Sequence, residues 1–506
     1  GKGGGKAQAD LSDVITPRAT DYSQWYQDVV YNSELVDQSP VRGCMVIRPW
    51  GMALWDLMRD DLDKRIKATG AQNAYFPLMI PTSFLSKEAD HVDGFAKECA
   101  VITHHRLCAN PDGAGLIPDP SAKLEEPLVV RPTSETVIWN MFNKWIDSHR
   151  DLPLKLNQWA NVVRWEFRTR PFLRTSEFLW QEGHTAHSSR DDALTCAKEM
   201  IDVYADFCAD MLAVPVIKGI KSDSERFAGA DETLTIEALM QNGWALQSGT
   251  SHFLGQNFAK AFDVEFQNTE GGRELVWATS WGVSTRLIGA MVMTHADDAG
   301  LVLPPPIAPV QVVVIPILGK TEEDEAQVRQ AVGEAVDAMK ARGIRVSVDD
   351  RTNIRPGAKF FEWERKGTPL RMEVGPRDVN NGVAVIKTRL GVKTTIQLGE
   401  DLAGVMSDQL EEFHQNLMSI AKARLEEKTY RVDAYDAMKA ALLNAESTGL
   451  FLVPWKADDK NEATIKEETK ATIRCYPISG QDEAEGKACF YSGEPATHMA
   501  IFARAF

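Results

Sequence analysis

The chain has 506 residues, 44% hydrophobic and 25% charged, a balance typical of soluble globular proteins. Its length suggests roughly three domains. No apolar run approaches the roughly 18 residues of a membrane helix. The 7 cysteines (Cys44, Cys99, Cys108, Cys196, Cys208, Cys475 and Cys489) are odd in number and scattered, which argues against a disulfide framework and fits a reducing, cytoplasmic compartment.

Residues 1–19, opening Gly1-Lys-Gly-Gly-Gly-Lys6, read as a flexible tail, because no hydrophobic stretch follows the charges. Leu54, Leu57, Met58, Leu62 and Ile66 recur at helical spacing, Gly70 ends that helix, and Tyr75 to Ile80 continues as an apolar strand. His104 to Lys123, rich in Gly, Pro and Asp, reads as a surface loop. Arg131-Pro-Thr-Ser-Glu135 opens a helix with a buried stripe of Val137, Ile138, Met141, Phe142 and Trp145. Thr133 and Glu135 sit at or before its N-terminus, where they suit helix capping or a substrate facing that end.

Val162 to His184 is the most informative segment. Arg164 and Glu166 close one apolar run, a basic loop with Pro171 follows, and Arg174 leads an aromatic strand, Phe178 and Trp180, that ends in Glu182 and His184. This predicts a hairpin with a mobile cationic tip. Two arginines on adjacent strands can grip separate phosphate oxygens. Phe178 offers a flat face for a purine, and Glu182 and His184 can hold a small polar substrate beside it. Gln247 to His252 reads as a small-residue loop between two strands. Gly282 lets the backbone approach a ligand closely, and Arg286 starts an apolar helix.

Leu303 to Pro309 is a proline-rich, stiff linker that ends a first unit spanning 20–303. Strands at 310–315, 344–348, 369–374 and 382–386 and a helix at 322–341 then predict a small α/β domain over 304–400 with a largely parallel sheet. The net charge of −16 is uneven: Lys340 to Lys393 holds 13 Lys+Arg and 6 Asp+Glu, a local +7 on a chain otherwise at −23. Such a basic island suits either local RNA contact or a solvated face. A linker helix at 402–425 and a last unit of α+β character complete 401–506.

Together these segments resemble the class II aminoacyl-tRNA synthetases. Val162 to His184 is similar to motif 2, and Phe178-Leu-Trp-Gln-Glu-Gly-His184 resembles the version found in prolyl-tRNA synthetases of the archaeal and eukaryotic-like type. The helix and strand at 54–80 resemble motif 1, Ser280 to Met291 resembles motif 3, and Thr133-Ser-Glu135 resembles a proline-binding loop. The resemblance implies an α/β and α+β multidomain chain: an antiparallel-sheet catalytic domain, an α/β anticodon-binding domain and a small α+β C-terminal domain. It implies ATP-dependent activation of L-proline and its transfer to tRNA(Pro). No general base is needed, because the attacking carboxylate is already ionised, so positioning and positive charge carry the reaction.

By the same resemblance, Arg164 would bridge the substrate carboxylate and the α-phosphate. Arg174 and Arg286 would hold the distal phosphates, with Thr175 and Ser284 assisting, and Glu166 and Thr250 also touch ATP. Phe178 would stack on adenine. Mg²⁺ would enter with ATP, with Gln247 as its protein contact. Thr133, Glu135, Arg164, Trp180, Glu182, His184 and His252 would surround proline. Arg164 and Arg286 are the catalytic pair. Arg351, Lys359, Glu362 and Trp363 are the anticodon candidates, and motif 1 implies a homodimer.

The chain also departs from this pattern. Pro454-Trp455 is followed by Lys456, and the later cysteine pair reads Cys489-Phe-Tyr-Ser492, so no four-cysteine zinc site can form. A makeshift site of Cys475, Cys489 and His498 is the only zinc alternative, and we expect no structural zinc. The last residue is Phe506, where these enzymes usually carry tyrosine. Only Thr185 to Val276 separates motifs 2 and 3, so the large editing insertion of some bacterial enzymes is absent. Two alternatives remain: a class II synthetase for another amino acid, and a catalytically silent, synthetase-like RNA-binding protein.

Overall fold

In a computed structural model, which describes residues 14–86, 98–399, 401–444 and 448–506, two long antiparallel strands carry the Val162–His184 segment. Most of the predicted 1–19 tail lies outside the described residues. Helix α1 (Pro49–Ala68) starts on a proline at its first position, which suits the fixed proline φ. It buries Leu54, Trp55, Met58, Leu62 and Ile66, and Leu57 is only half-buried. Strand β1 (Gln72–Asn73) follows. The strand expected at 75–80 is regular only over Met79–Pro81, and Tyr75 is 73% exposed. Pro77 offers no N–H to a ladder there. The segment 104–123 is more than a loop. It holds a small hairpin, Leu107–Ala109 against Leu116–Pro118.

Helix α2 (Glu135–Trp145) buries Val137, Ile138, Trp139 and Phe142. Trp145, expected in that stripe, is about half exposed, and Trp139 takes the core place, packed on Phe142 and Phe258. Strands β2 (Leu154–Val163) and β3 (Glu177–His187), helix α3 (Arg190–Leu212), strands β4 (Val216–Ile220), β5 (Glu232–Leu239), β6 (Ala245–Gly255) and β7 (Trp277–Ser284), and helix α4 (Arg286–His295) complete the central unit. One face of this sheet is covered by α3. Met200, Ile201, Tyr204 and Phe207 share a core with Ile236, Phe253, Trp281 and Val283. Gly183 makes that packing possible, because a Cβ there would lie 2.2 Å from the Trp281 ring. The other face carries the site.

Gln247 to His252 is corrected by the structure: it is the middle of β6. Its Gly, Ser and Thr residues look like a turn, yet each strand neighbour takes them into a ladder. The predicted linker 303–309 is buried, with Leu303, Ile307 and Ala308 in the same core as α1 and α3.

Strands β8 (Val312–Pro316) and β9 (Val346–Val348), separated by helix α5 (Glu322–Ala341), lead to helix α6 (Pro356–Arg365) and strands β10 (Leu370–Val374), β11 (Val383–Thr388) and β12 (Lys393–Gln397). The sheet order is β9-β8-β10-β11-β12, with the first two pairings parallel and the last two antiparallel. The sheet is therefore mixed, not largely parallel. The unexpected member is β12, in which Lys393, Thr394 and Thr395 are all exposed and no apolar alternation marks a strand.

Helix α7 (Leu402–Glu427) leads to strands β13 (Thr429–Arg431) and β14 (Leu450–Trp455), helix α8 (Asp459–Thr469), and strands β15 (Thr472–Pro477) and β16 (His498–Ala503). This last unit has its own core around Phe451, Trp455 and Phe502. It also continues the central sheet, because β15 pairs with β4 at Gly219↔Pro477 and Ile220↔Tyr476. The result is one eleven-stranded sheet, β13-β14-β16-β15-β4-β5-β6-β7-β3-β2-β1. The ring of Phe506 lies against Trp244 and under Arg170 on the β2–β3 loop, at 5.1 and 5.4 Å. Among the described residues, no helix is long and apolar enough to cross a membrane.

Candidate active site

Side chains two apart on a strand share a face. On β3 that rule places Phe178, Trp180, Glu182 and His184 in one row on the face away from α3. Register extends the row sideways: Trp180, Glu182 and His184 lie opposite Ser284, Gly282 and Ser280 of β7. Gly282 and Ser280 lie opposite Thr250 and His252 of β6, which face Thr235 and Thr233 of β5. A β-bulge skips Ser248, so the register passes from Ile236↔Gly249 to Glu237↔Gln247. The bulge re-aims β6 so that Gln247, three residues from Thr250, joins the same face.

These rows floor a cavity of about 670 Å³. Every residue predicted for ATP or proline lines it: Thr133, Glu135, Arg164, Glu166, Arg174, Thr175, Phe178, Trp180, Glu182, His184, Gln247, Thr250, His252, Ser284 and Arg286. Sequence reasoning missed Glu225, Arg226 and Phe227 of the β4–β5 connection, and Thr233. The three connection residues show no periodicity that marks them. Thr233 belongs to the β5 alternation with Thr235 and Glu237, a signal that was available.

At one end stand the arginines. Arg164 donates from Nε to the Pro132 carbonyl at 2.9 Å, and its guanidinium lies 5.6 and 5.3 Å from the Phe178 and Trp180 rings. Arg286 donates to the Leu173 and Gln247 carbonyls at 3.2 and 3.3 Å. Burial pushes the Arg286 guanidinium down to about 10, and Arg174 and Arg164 add repulsion. Burial also lowers Arg164, against the opposing pull of Glu135 and Glu182. A buried surplus of positive charge is what a polyanion would relieve. Arg174 is half exposed, with Glu166 3.9 Å away. Ser284 accepts from the Arg286 backbone N–H at 3.1 Å, which leaves its hydroxyl proton available. Thr175 donates to the Glu177 carbonyl at 2.7 Å, a bond it must exchange before it can donate to a phosphate.

At the other end the groups are acidic and enclosed. Thr133 donates to the Glu135 carboxylate, and neither caps α2; the N-cap is Ser134, whose side chain makes no capping bond. Glu182 accepts from Gln158 at 3.2 Å and lies 3.4 Å from His184 Nε2. Burial opposes charge on His184, but Glu182 and Glu135 together raise its pKa above the ordinary value. His252 is bracketed by Thr233 and Thr250 at 2.9 and 3.2 Å and lies against Phe227, and burial lowers it to about 4. Glu182 Oε2, His184 Nδ1 and Trp180 Nε1 are buried without a hydrogen-bond partner, and His184 Nε2 has only the ion-pair contact with Glu182. Each costs about 1–3 kcal/mol until something pairs with it. Trp180, Glu182 and His184 line the cavity, where a small polar ligand could pair with these atoms.

The anticodon candidates lie elsewhere. Asp349 accepts from Arg351 and from Trp363 Nε1, at 2.7 and 2.9 Å, and Arg351 also reaches Glu362 at 2.8 Å. These bonds hold the Asp349 carboxyl well below the usual range despite its burial. Lys359 is buried and donates to the Asp349 carbonyl at 3.0 Å, so all four candidates gather around Asp349. Cys475 and Cys489 are buried, and the His498 ring stacks on Tyr476 at 4.2 Å. Among the described residues, no group of three or more His, Cys, Asp or Glu side chains could hold a metal.

Comparison with known proteins gives the same three parts. The family model for the tRNA synthetase class II core domain (G, H, P, S and T) matches residues 120–295, that for the anticodon binding domain 311–405, and that for the C-terminal part of prolyl-tRNA synthetase 435–506. A proline–tRNA ligase of Porphyromonas gingivalis is 54% identical over 493 residues, covering 97% of this chain and 99% of the relative. One from Cytophaga hutchinsonii is 52% identical over 496 residues, covering 98% and 100%. A solved prolyl-tRNA synthetase of Cryptosporidium parvum, complexed with halofuginone and AMPPNP, superposes with a TM-score of 0.90 at 40% identity over 98% of this chain and 100% of that one.

Proposed function

The chain belongs to the prolyl-tRNA synthetases, and from that premise we propose that its cavity divides into an ATP half and a proline half that meet at Arg164. Its activity is ATP-dependent proline–tRNA ligation: proline and ATP give prolyl-adenylate and pyrophosphate, and the prolyl group passes to tRNA(Pro). The ATP half is Phe178 under adenine, Arg174 and Arg286 on the distal phosphates, and Glu166, Thr175, Thr250 and Ser284 around them. Mg²⁺ arrives with the nucleotide; Gln247 would add one neutral oxygen to a shell made mainly of phosphate and water. The proline half is Thr133 and Glu135 for the secondary ammonium, Trp180 for the pyrrolidine ring, and Glu182, His184 and His252 as the polar rim. Arg164 would hold the carboxylate against the α-phosphate, where attack is in line.

The observation that carries this division is the row on β3. It runs from a flat aromatic beside buried arginines to a buried carboxylate and imidazole with unpaired atoms. Amino-acid-dependent ATP–pyrophosphate exchange tests it. Proline should drive exchange, and Arg164→Ala should abolish it. Alanine and cysteine should leak in, since one methylene is worth only about 1–3 kcal/mol. Exchange driven equally by a larger amino acid would refute the proline half.

Several finer assignments follow from the same reading. The domains run 20–303, 304–400 and 401–506, although the third shares its sheet with the first. A homodimer is supported by apolar side chains at the surface of one small sheet and its hairpin: Met79, Val101, Leu107 and Leu116 are all about half exposed or more. Sedimentation as a monomer at micromolar concentration would contradict that. Arg351, Lys359, Glu362 and Trp363 are the proposed anticodon contacts, to be tested by tRNA(Pro) charging. We place the enzyme in the cytoplasm and expect no structural zinc; one tightly held zinc per chain would overturn the latter.

A further inference from the structure

The C-terminal unit sends one charged side chain into the central sheet. Arg474, on β15, reaches Glu237 on β5, with Nε 3.2 Å from Oε2. Lys221, just past β4, takes the other oxygen at 2.8 Å. Thr235 also donates to that carboxylate, at 3.2 Å. The side chains of Lys221 and Glu237 are 2% exposed and that of Arg474 9%. Two cations thus share one anion inside the protein, and one positive charge is left over. Burying a net charge is unfavourable unless an opposite charge is near.

The position of Glu237 says where that opposite charge belongs. It lies across the β-bulge from Gln247, on the ligand face, in the same row as Thr235 and Thr233. Arg286 donates to the carbonyl of Gln247, the residue directly across from Glu237, at 3.3 Å. On Arg286 the pull of Glu237 outweighs the push of Arg474, so this carboxylate, left unpaired, would draw on Arg286 in competition with the phosphates. We propose that Arg474 is a positioning residue for the ATP phosphates: it silences the Glu237 carboxylate and leaves a buried +1 behind the phosphate end. The C-terminal unit is then a working part of the ATP site. This rests on the placement of the phosphates at Arg286 given above.

Substitutions at Arg474 and Glu237 change the net charge of the cluster in single steps. The cluster is +1 in the natural chain, 0 in Arg474→Met, and +1 again in the double variant Glu237→Gln, Arg474→Met. Steady-state pyrophosphate exchange is read with ATP and proline varied in turn, on protein checked for folding by thermal melting. Arg474→Met should raise KM for ATP roughly tenfold, the order of one charge withdrawn from a charged ligand a few side chains away, and leave KM for proline within about twofold. Arg474→Lys and the double variant should restore most of the ATP affinity. An unchanged KM for ATP in folded Arg474→Met, a parallel rise for both substrates, or a double variant no better than the single one overturns the proposal. If Arg474→Met does not fold, Glu237→Gln at +2 should bind ATP more tightly than the double variant at +1; equality would refute the idea. Arg286→Lys, run alongside, separates the two levels. If it leaves KM for ATP unchanged, the phosphate placement fails. If it raises KM for ATP while Arg474→Met does not, only the present inference fails.

Discussion

Replacing Glu135 by glutamine keeps volume and removes one charge. The carboxylate is 7% exposed, accepts from Thr133, and contributes to the electrostatics of Arg164, His184 and His252. A hydrogen bond to a charged group is worth about 1.5–3 kcal/mol, and truncating a buried charge pair costs about 2–5. Taking about 3 kcal/mol, KM for proline should rise roughly 10²-fold. ATP lies on the other side of Arg164, so its KM should stay within about twofold. Exchange kinetics with each substrate varied in turn read both numbers. A second readout follows from the same charge. Burial pushes the His184 pKa down, and Glu182 and Glu135 hold it up, so Glu135→Gln should move its NMR titration to lower pH. Equal rises for ATP and proline, or an unmoved His184 titration, would refute the assignment of Glu135 to the proline half.

Phe178→Ala should raise KM for ATP by about 10-fold or more, since stacking a base on an aromatic ring is worth about 1–3 kcal/mol, with KM for proline little changed. Gly183→Ala should lower the melting temperature by several degrees: its Cβ would meet the Trp281 ring at 2.2 Å, and overpacking of this kind costs about 1–3 kcal/mol. His252 is lowered to about 4 while an unfolded histidine titrates near 6.5. The unfolded chain therefore binds the extra proton between those values, and stability falls as pH drops through 6.5 toward 4, by about 1.4 kcal/mol per unit. His252→Asn should remove part of that acid slope in denaturant melts. His295, also lowered to about 4 by burial, keeps a like share.

Much of the site was legible because a strand writes its face every second residue. Phe178, Trp180, Glu182 and His184 could be assigned to one side without coordinates, and the helix at 322–341 follows its apolar spacing to both ends. The Gln247–His252 strand was hidden for a physical reason. A strand that floors a ligand cavity needs small polar residues, the same residues that make turns, and its alternation is broken by the bulge at Ser248. Trp145 follows the helical spacing of Ile138 and Phe142, yet it lies in the last turn, half exposed, while Trp139 fills the core. Lys359 counted toward a basic island, and only the fold shows its ammonium turned in to Asp349. The union of the C-terminal unit with the central sheet rests on two residue pairs between strands about 250 positions apart in the chain. No local pattern encodes such a contact, and with it the Arg474–Glu237 pair was out of reach.

The division of the cavity is tested most directly by a crystal structure with a non-hydrolysable prolyl-adenylate analogue. The account predicts adenine on Phe178, the pyrrolidine ring against Trp180 with its nitrogen at Glu135 and Thr133, and the phosphate beside Arg164. A proline nitrogen bound away from Glu135, or adenine stacked anywhere but Phe178, would contradict it.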